Sequence, residues 1–249
     1  MSDLADVSSA VSVHPPHRLG VILVAAGAGQ RLGAGIPKAL VPLGGRTLLE
    51  RSIQTIVSLE MPGHLVVVLP EGHAAAGLNA LEAATANTRA LWGTSVAPGG
   101  SERQDSVHNG LAALPQEVDV VLVHDVARPL TPAQLFLDVA HAVREQNTGV
   151  VPVLPVTDTV KRIDSSGTVL GTVDRSELAL AQTPQGFPRE MLQAAYDDAK
   201  EQFTDDAAVV QFAGFSVVTI AGHPLAHKLT SPADARLLEW MLDTEEVTR

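Results

Sequence analysis

The sequence predicts an α/β fold built on a doubly wound, mostly parallel sheet. Apolar runs rich in β-branched residues recur at 21–24, 65–69 and, broken only by Asp119, 118–123, the pattern of strands buried on both faces. Amphipathic stretches at helical spacing separate the runs, so the chain opens strand, loop, helix, strand. The first run also ends abruptly in a nest of small residues, Ala25-Ala26-Gly27-Ala28-Gly29, whose amides an anion can approach without steric hindrance.

Composition bounds the answer. A chain of 249 residues, 45% hydrophobic, can bury a full core, and residues 19–249 read as one domain. With 17 basic and 28 acidic residues the net charge is −11, which argues against a protein that coats nucleic acid but permits a local cationic pocket. The absence of cysteine excludes disulfides and thiolate zinc sites, and suits a reducing cytoplasm. Residues 1–18 carry Asp3, Asp6 and Pro15-Pro16 and lack a basic start and an apolar stretch, so they read as a disordered leader, not a signal peptide. No apolar run approaches the roughly 18 residues of a membrane span. The expectation is a soluble cytoplasmic protein with no membrane partner.

The elements follow in order. Thr47-Leu48-Leu49-Glu50 forms a capping box, and Leu49, Ile53, Ile56 and Val57 share one face of a helix that ends before Pro62. A strand at 65–69, a helix at 74–86 and a weaker strand at 89–97 come next. Gly99-Gly100 then lets the backbone close on a flat ring or a ribose, and Ser101 is expected to cap the following helix with Gln104 at the third position. The strand at 118–123 delivers His124-Asp125-Val126-Ala127-Arg128-Pro129 into the crevice where open α/β sheets bind ligands. There Asp125 suits Mg²⁺ or a ribose hydroxyl and Arg128 suits a phosphate, with an ion pair tying the loop as the alternative.

Thr131-Pro132 starts a helix to about 145, and 149–155 returns as a strand. Runs at 157–163 and 168–173 flank Asp164-Ser165-Ser166-Gly167 and read as a β-hairpin with too few apolar positions for its own core, so it needs a partner. A helix at 189–202 precedes Thr204-Asp205-Asp206, read as the cap of a short helix that stops at Gly214 and not as a metal site. Strands at 215–220 and 227–230 precede a last helix from Ser231-Pro232. His223 and His227 have the spacing of zinc-binding helices, but Pro224 speaks against that helix.

The chemistry concentrates after the first strand, where Arg31 and Lys38 follow the small-residue nest. Amide donors and two cations together suit a phosphate chain, against the alternative of a plain turn with solvated charges. Two better-known glycine loops fit badly. Gly27, Gly29 and Gly33 are spaced one residue too wide for a dinucleotide fingerprint, and Lys38 follows Pro37 in place of the P-loop glycine.

AAGAGQRLG followed by Pro37-Lys38 resembles the signature loop of nucleotidyltransferases. With GGxxRxxSV at 99–107, HDxARP at 124–129, VDR at 173–175, TPQ at 183–185 and HKLT at 227–230, the resemblance narrows to the 2-C-methyl-D-erythritol 4-phosphate cytidylyltransferase family over residues 19–242. It implies a Rossmann-like nucleotidyltransferase fold with a β-arm at about 157–176 that dimerises the chain. The implied reaction joins CTP to methylerythritol phosphate in non-mevalonate isoprenoid synthesis, with Mg²⁺ or another divalent cation. By the same match Ala25, Ala26, Gly27, Gly29, Gly100, Arg103, Ser106 and Asp125 hold the nucleotide. Asp125, Arg128, Thr159, Arg175 and Thr183 would hold the second substrate, and Asp125 the metal. Arg31, Lys38, Arg175 and Lys228 would be the catalytic cations. On residues alone Thr159, Arg175 and Thr183 fit an exposed arm equally well, and Lys228 an exposed lysine. A nucleotidyltransferase for another sugar or alcohol phosphate, an NAD(P)-binding oxidoreductase and a non-catalytic nucleotide sensor remain alternatives.

Overall fold

The computed structural model describes residues 18–27, 36–86 and 91–248, without the side chains of 245–248. Residues 1–17 of the expected leader, Ala28, Gly29 and Arg31 lie outside the described residues, as does the start of the strand expected from 89, whereas Arg18, placed in the leader, opens the first strand.

Strand β1 (Arg18–Val24) pairs in parallel with β2 (Gly63–Leu69) and with β4 (Val118–Asp125), and β3 (Trp92–Pro98) runs parallel to β2. Strand β5 (Gly149–Pro155) carries β10 (Val217–Ala221) in parallel on one flank. On its other flank it pairs with two short antiparallel strands, β8 (Ala179–Ala181) and β9 (Gln185–Pro188), and β9 joins the sheet to β4. A separate hairpin, β6 (Lys161–Ile163) with β7 (Val169–Thr172), lies within the segment expected to form the arm.

The period of two in β1 divides the core between the two faces of the sheet. Leu19, Val21 and Leu23 pack with Leu49, Ile53 and Ile56 of α1 (Leu48–Val57) and with Phe136 and Val139 of α4 (Ala133–Gln146). Ile22 packs on the opposite side with Val107 and Leu111 of α3 (Arg103–Ala112), and with Leu192 and Ala195 of α5 (Arg189–Asp198). Helices on both faces of a largely parallel sheet are the doubly wound arrangement expected from the apolar runs.

The capping box forms as predicted. Glu50 donates its N–H to the Thr47 hydroxyl at 3.1 Å, and the Glu50 carboxylate accepts the Thr47 N–H at 2.7 Å. The α3 cap differs from expectation. Glu102, not Ser101, is the N-cap residue, and the Asp105 carboxylate accepts the Glu102 N–H at 3.0 Å and the Ser101 hydroxyl at 2.6 Å. An anionic acceptor in the first turn out-competes a hydroxyl there because it also meets the positive end of the helix dipole. Helix α4 starts at Ala133, and the Thr131 hydroxyl donates to the Arg128 carbonyl at 2.9 Å, closing the preceding loop instead of capping. Residues 227–230 form no strand. They follow a 3-10 turn (Pro224–Ala226), and the Leu229 N–H donates to the Ala127 carbonyl at 2.8 Å.

Helix α5 also ends four residues earlier than its periodicity suggested. In the arm, the Asp164 carboxylate accepts the N–H groups of Ser166 and Thr168, both at 2.9 Å, and Gly167 takes φ +86° to close the turn. Ile163, Val169 and Leu170 are 58–60% exposed on these two strands. Helix α7 (Pro232–Thr248) closes the chain, and no helix among the described residues is long and apolar enough to cross a membrane.

Candidate nucleotide and phosphate site

The carboxyl ends of β1, β2, β3 and β4 meet at one edge of the sheet. Val24 pairs with Asp125, the Ala25 N–H donates to the Val68 carbonyl at 2.8 Å, and the Gly99 N–H donates to the Leu69 carbonyl at 2.7 Å. The loops after β1 and β3 touch so closely that a Cβ on Gly99 would stand 2.4 Å from the Ala26 Cβ. A Cβ on Gly100 would stand 2.1 Å from that of Asp105, so only glycine allows this turn. Gly100 donates its N–H to the Ser106 hydroxyl at 3.1 Å, which in turn donates to the Glu102 carbonyl. Ser106 is thus buried beneath the loop and shapes it. Lys38 heads a 3-10 turn (Lys38–Leu40), and its backbone N–H donates to the Gly27 carbonyl at 3.4 Å, which keeps it on the same edge.

A chain of charges runs inward from this edge. The nearly buried Asp125 accepts Lys228 Nζ on Oδ2 at 2.6 Å, and Arg103 Nε and Nη2 on Oδ1 at 3.3 and 3.2 Å. Burial pushes the Asp125 carboxyl up, but the Arg103 guanidinium and the Lys228 ammonium outweigh it and hold the group well below the usual carboxylate range. On its other side Arg103 makes a bidentate pair with Asp206, at 3.1 and 2.7 Å. Asp206 is fully buried, and the Tyr196 hydroxyl donates to it at 2.6 Å. Burial and the Asp206 carboxylate push the Tyr196 phenol up, so it stays a donor.

Asp206 is the residue that sequence reasoning missed. Its neighbour Asp205 is the cap and accepts the Ala208 N–H at 3.0 Å, whereas Asp206 turns inward on the short helix α6 (Asp206–Phe212). The signal was present in the spacing: Asp206 lies three and four residues before the core residues Val209 and Val210, on one face of the helix.

Behind Asp125, the Thr183 hydroxyl accepts the Asp125 N–H at 3.1 Å and lies 3.0 Å from His124 Nδ1. With one proton and two lone pairs, the hydroxyl can serve both the amide and the imidazole nitrogen. Burial pushes the His124 imidazole down to about 3, so it is neutral. Thr183 therefore braces Asp125 from within. Arg128 makes two contacts to carbonyls: Nη1 donates to that of Ala226 at 2.6 Å and Nη2 to that of Ala181 at 3.1 Å. It ties the loop, though to carbonyls and not through the ion pair considered as the alternative to phosphate binding. Thr159 and Arg175 stand exposed on the arm, and Arg175 donates to the Thr157 carbonyl. Gly100, Arg103, Ser106, Asp125, Thr183 and Lys228 are brought together, and Ala25, Ala26 and Gly27 lie beside them.

The family model described as 2-C-methyl-D-erythritol 4-phosphate cytidylyltransferase (IspD) matches residues 19–244. The chain belongs to that family. A family enzyme of Saccharopolyspora erythraea is 46% identical over 89% of this chain and 97% of its own length. A bifunctional IspD/IspF enzyme of Clavibacter michiganensis is 54% identical over 89% of this chain, which spans only 54% of that relative. Among solved structures, the synthase of Anaerococcus prevotii superposes with a TM-score of 0.79 at 26% identity, over 91% of this chain and 96% of its own. The family enzyme of Thermus thermophilus does so with 0.71 at 33% identity, over 90% and 98%. The cluster around Asp125 thus sits on the fold that this family shares.

Proposed function

We infer that the chain transfers a cytidylyl group from CTP to 2-C-methyl-D-erythritol 4-phosphate, giving the CDP-linked alcohol and pyrophosphate. The family carries the substrate assignment. The observation in the structure that carries the site is the Lys228–Asp125–Arg103 cluster, held at the point where the sheet reverses its strand order and beside the small-residue turn after β1.

In this reading a phosphate oxygen of the acceptor forms a bond to the α-phosphorus while the bond from that phosphorus to pyrophosphate breaks. The nucleophile is already an anion, so the task of the chain is to bring negative groups together. Asp125 is too acidic to serve as a general base near neutral pH, and its role is to hold cations in place. Lys38 and Arg31 offset charge on the transferring and leaving phosphates. Lys228 and Arg175 orient the incoming phosphate, while Gly100, with Ser106 beneath it and Arg103 beside it, forms the floor for the base and ribose.

Among the described residues no three His, Cys, Asp or Glu side chains cluster as a metal cage. One ionised carboxylate beside a triphosphate nevertheless suits Mg²⁺, which takes one or two carboxylates and completes its shell with phosphate oxygens and water. Asp125 would hold such an ion, whose charge would offset that of the phosphates. The exposed apolar residues of the arm support a homodimer in which a second copy covers them. Anionic substrates of this kind do not cross membranes unaided, which supports a cytoplasmic setting.

The test is pyrophosphate release from CTP and Mg²⁺. Release that requires methylerythritol phosphate is expected. Release with a different sugar or alcohol phosphate, or none with any, would overturn the reading.

A further inference from the structure

Gln182 occupies a junction that the reaction as described leaves unused. It follows β8 on one flank of β5, where its N–H donates to the Pro152 carbonyl at 2.8 Å. Its side chain is 3% exposed and spans the end of β5 to the segment that follows β10 on the other flank. There Oε1 accepts the His223 N–H at 2.9 Å, while Nε2 donates to the His223 carbonyl at 3.0 Å and reaches the Ala226 carbonyl at 3.5 Å. A Cβ on Gly222 would stand 2.3 Å from Gln182 Oε1 and 3.0 Å from the Val153 carbonyl, so glycine at 222 is what admits the amide.

The segment so gripped leads directly to Lys228. Upstream, the Ala226 carbonyl is held by Arg128 as well as by Gln182; downstream, Leu229 is held by the Ala127 carbonyl. Lys228 lies between these anchors, with its side chain 41% exposed and Nζ 2.6 Å from Asp125. A lysine ammonium rides on a flexible four-carbon stem, so the point from which the backbone launches that stem sets which partners it can reach. Misplacement by about 1 Å at such a group costs on the order of 10²-fold in rate.

We propose that Gln182 is a positioning residue for Lys228: by clamping His223 and Ala226 across the end of β5, its amide fixes the turn that aims the ammonium at Asp125. This rests on Lys228 acting in the transfer reaction. Gln182 itself touches no substrate. The pair of bonds to one residue, one accepted and one donated, distinguishes the clamp from simple packing, because an apolar side chain of equal size leaves both His223 groups without their partner.

The experiment compares Gln182→Leu, Lys228→Met and the double variant in the full chain, measuring kcat, KM for CTP, melting temperature and hydrogen exchange at 223–229. Gln182→Leu is expected to lower kcat by roughly 10-fold or more, with KM for CTP changed less than about 3-fold, and to speed exchange across the turn. In the Lys228→Met background it should lower kcat by less than about 2-fold further, while its effect on melting temperature persists. Full additivity of the two kcat losses, or normal kcat in folded Gln182→Leu, overturns the proposal and leaves the role of Lys228 standing. Normal kcat in Lys228→Met overturns both. If Gln182→Leu does not fold, Gln182→Glu, which keeps the acceptor and loses the donor, takes its place under the same criteria.

Discussion

Asp206 and His124 show how buried polar residues divide the work around Asp125. Removing the Asp206 carboxylate leaves the Arg103 guanidinium with only one of its two anionic partners, in a place where water cannot fully replace the other. Asp206→Ala should destabilise the fold by about 2–3 kcal/mol, below the 3–5 kcal/mol of a fully severed buried pair, because Asp125 remains. Urea unfolding measures this, and a loss under about 0.5 kcal/mol would mean that Asp206 anchors nothing. His124 gives a pH signature. Its folded value of about 3 lies below the ordinary 6.5, so between those values the unfolded chain binds a proton that the folded chain does not. Stability therefore falls as pH drops below about 6.5, by up to about 1.4 kcal/mol per unit from this residue. Asp125 and Asp234, both held low, act in the same direction only below about pH 4. Equilibrium unfolding from pH 7 to 5 should show a shallower slope in His124→Asn than in the wild type; equal slopes would place the imidazole in contact with solvent. Asp125 was legible in the sequence because a carboxylate just past the end of an apolar run sits at the carboxyl end of a central strand. Gln182 was not, because its partner is 41 positions away and a glutamine has no periodicity to betray it.

At the scale of elements, local signals served where local contacts decide. The β-branched runs became central strands, and the Thr47–Glu50 box capped α1, because each is settled within a few residues. Ser101 lost the α3 cap position to Glu102, whose N–H the Asp105 carboxylate accepts, for a reason equally local but requiring a comparison of two acceptors. The segment at 227–230 looked like a strand from its composition, yet the Leu229 amide goes to a loop carbonyl and the Thr230 amide to the Asp234 carboxylate, not to a ladder. The arm tests element-level reasoning most sharply. Two strands of three and four residues that leave Ile163, Val169 and Leu170 in solvent are marginal without cover. Light scattering should report a dimer for the wild type and a shift toward monomer for Leu170→Glu, which places a charge where the second copy would pack. A wild-type monomer at micromolar concentration would remove the arm's assigned purpose.

For the whole molecule, the division of one sheet between two cores leaves its carboxyl edge free to gather loops from β1, β3 and β4, and the strand order places a crevice there of the kind in which open α/β sheets bind ligands. The position of Asp125 at that edge was readable in advance. The inward chain from Asp125 through Arg103 to Asp206 was not, since it joins α3, β4 and α6 over 103 positions of sequence. The most direct measurement is turnover of CTP with methylerythritol phosphate by Asp125→Asn, an isosteric change that removes the charge holding Lys228 and Arg103. A folded variant with kcat lowered by roughly 10²-fold or more is expected; a folded variant that turns over at the wild-type rate would show that the transfer takes place elsewhere on the molecule.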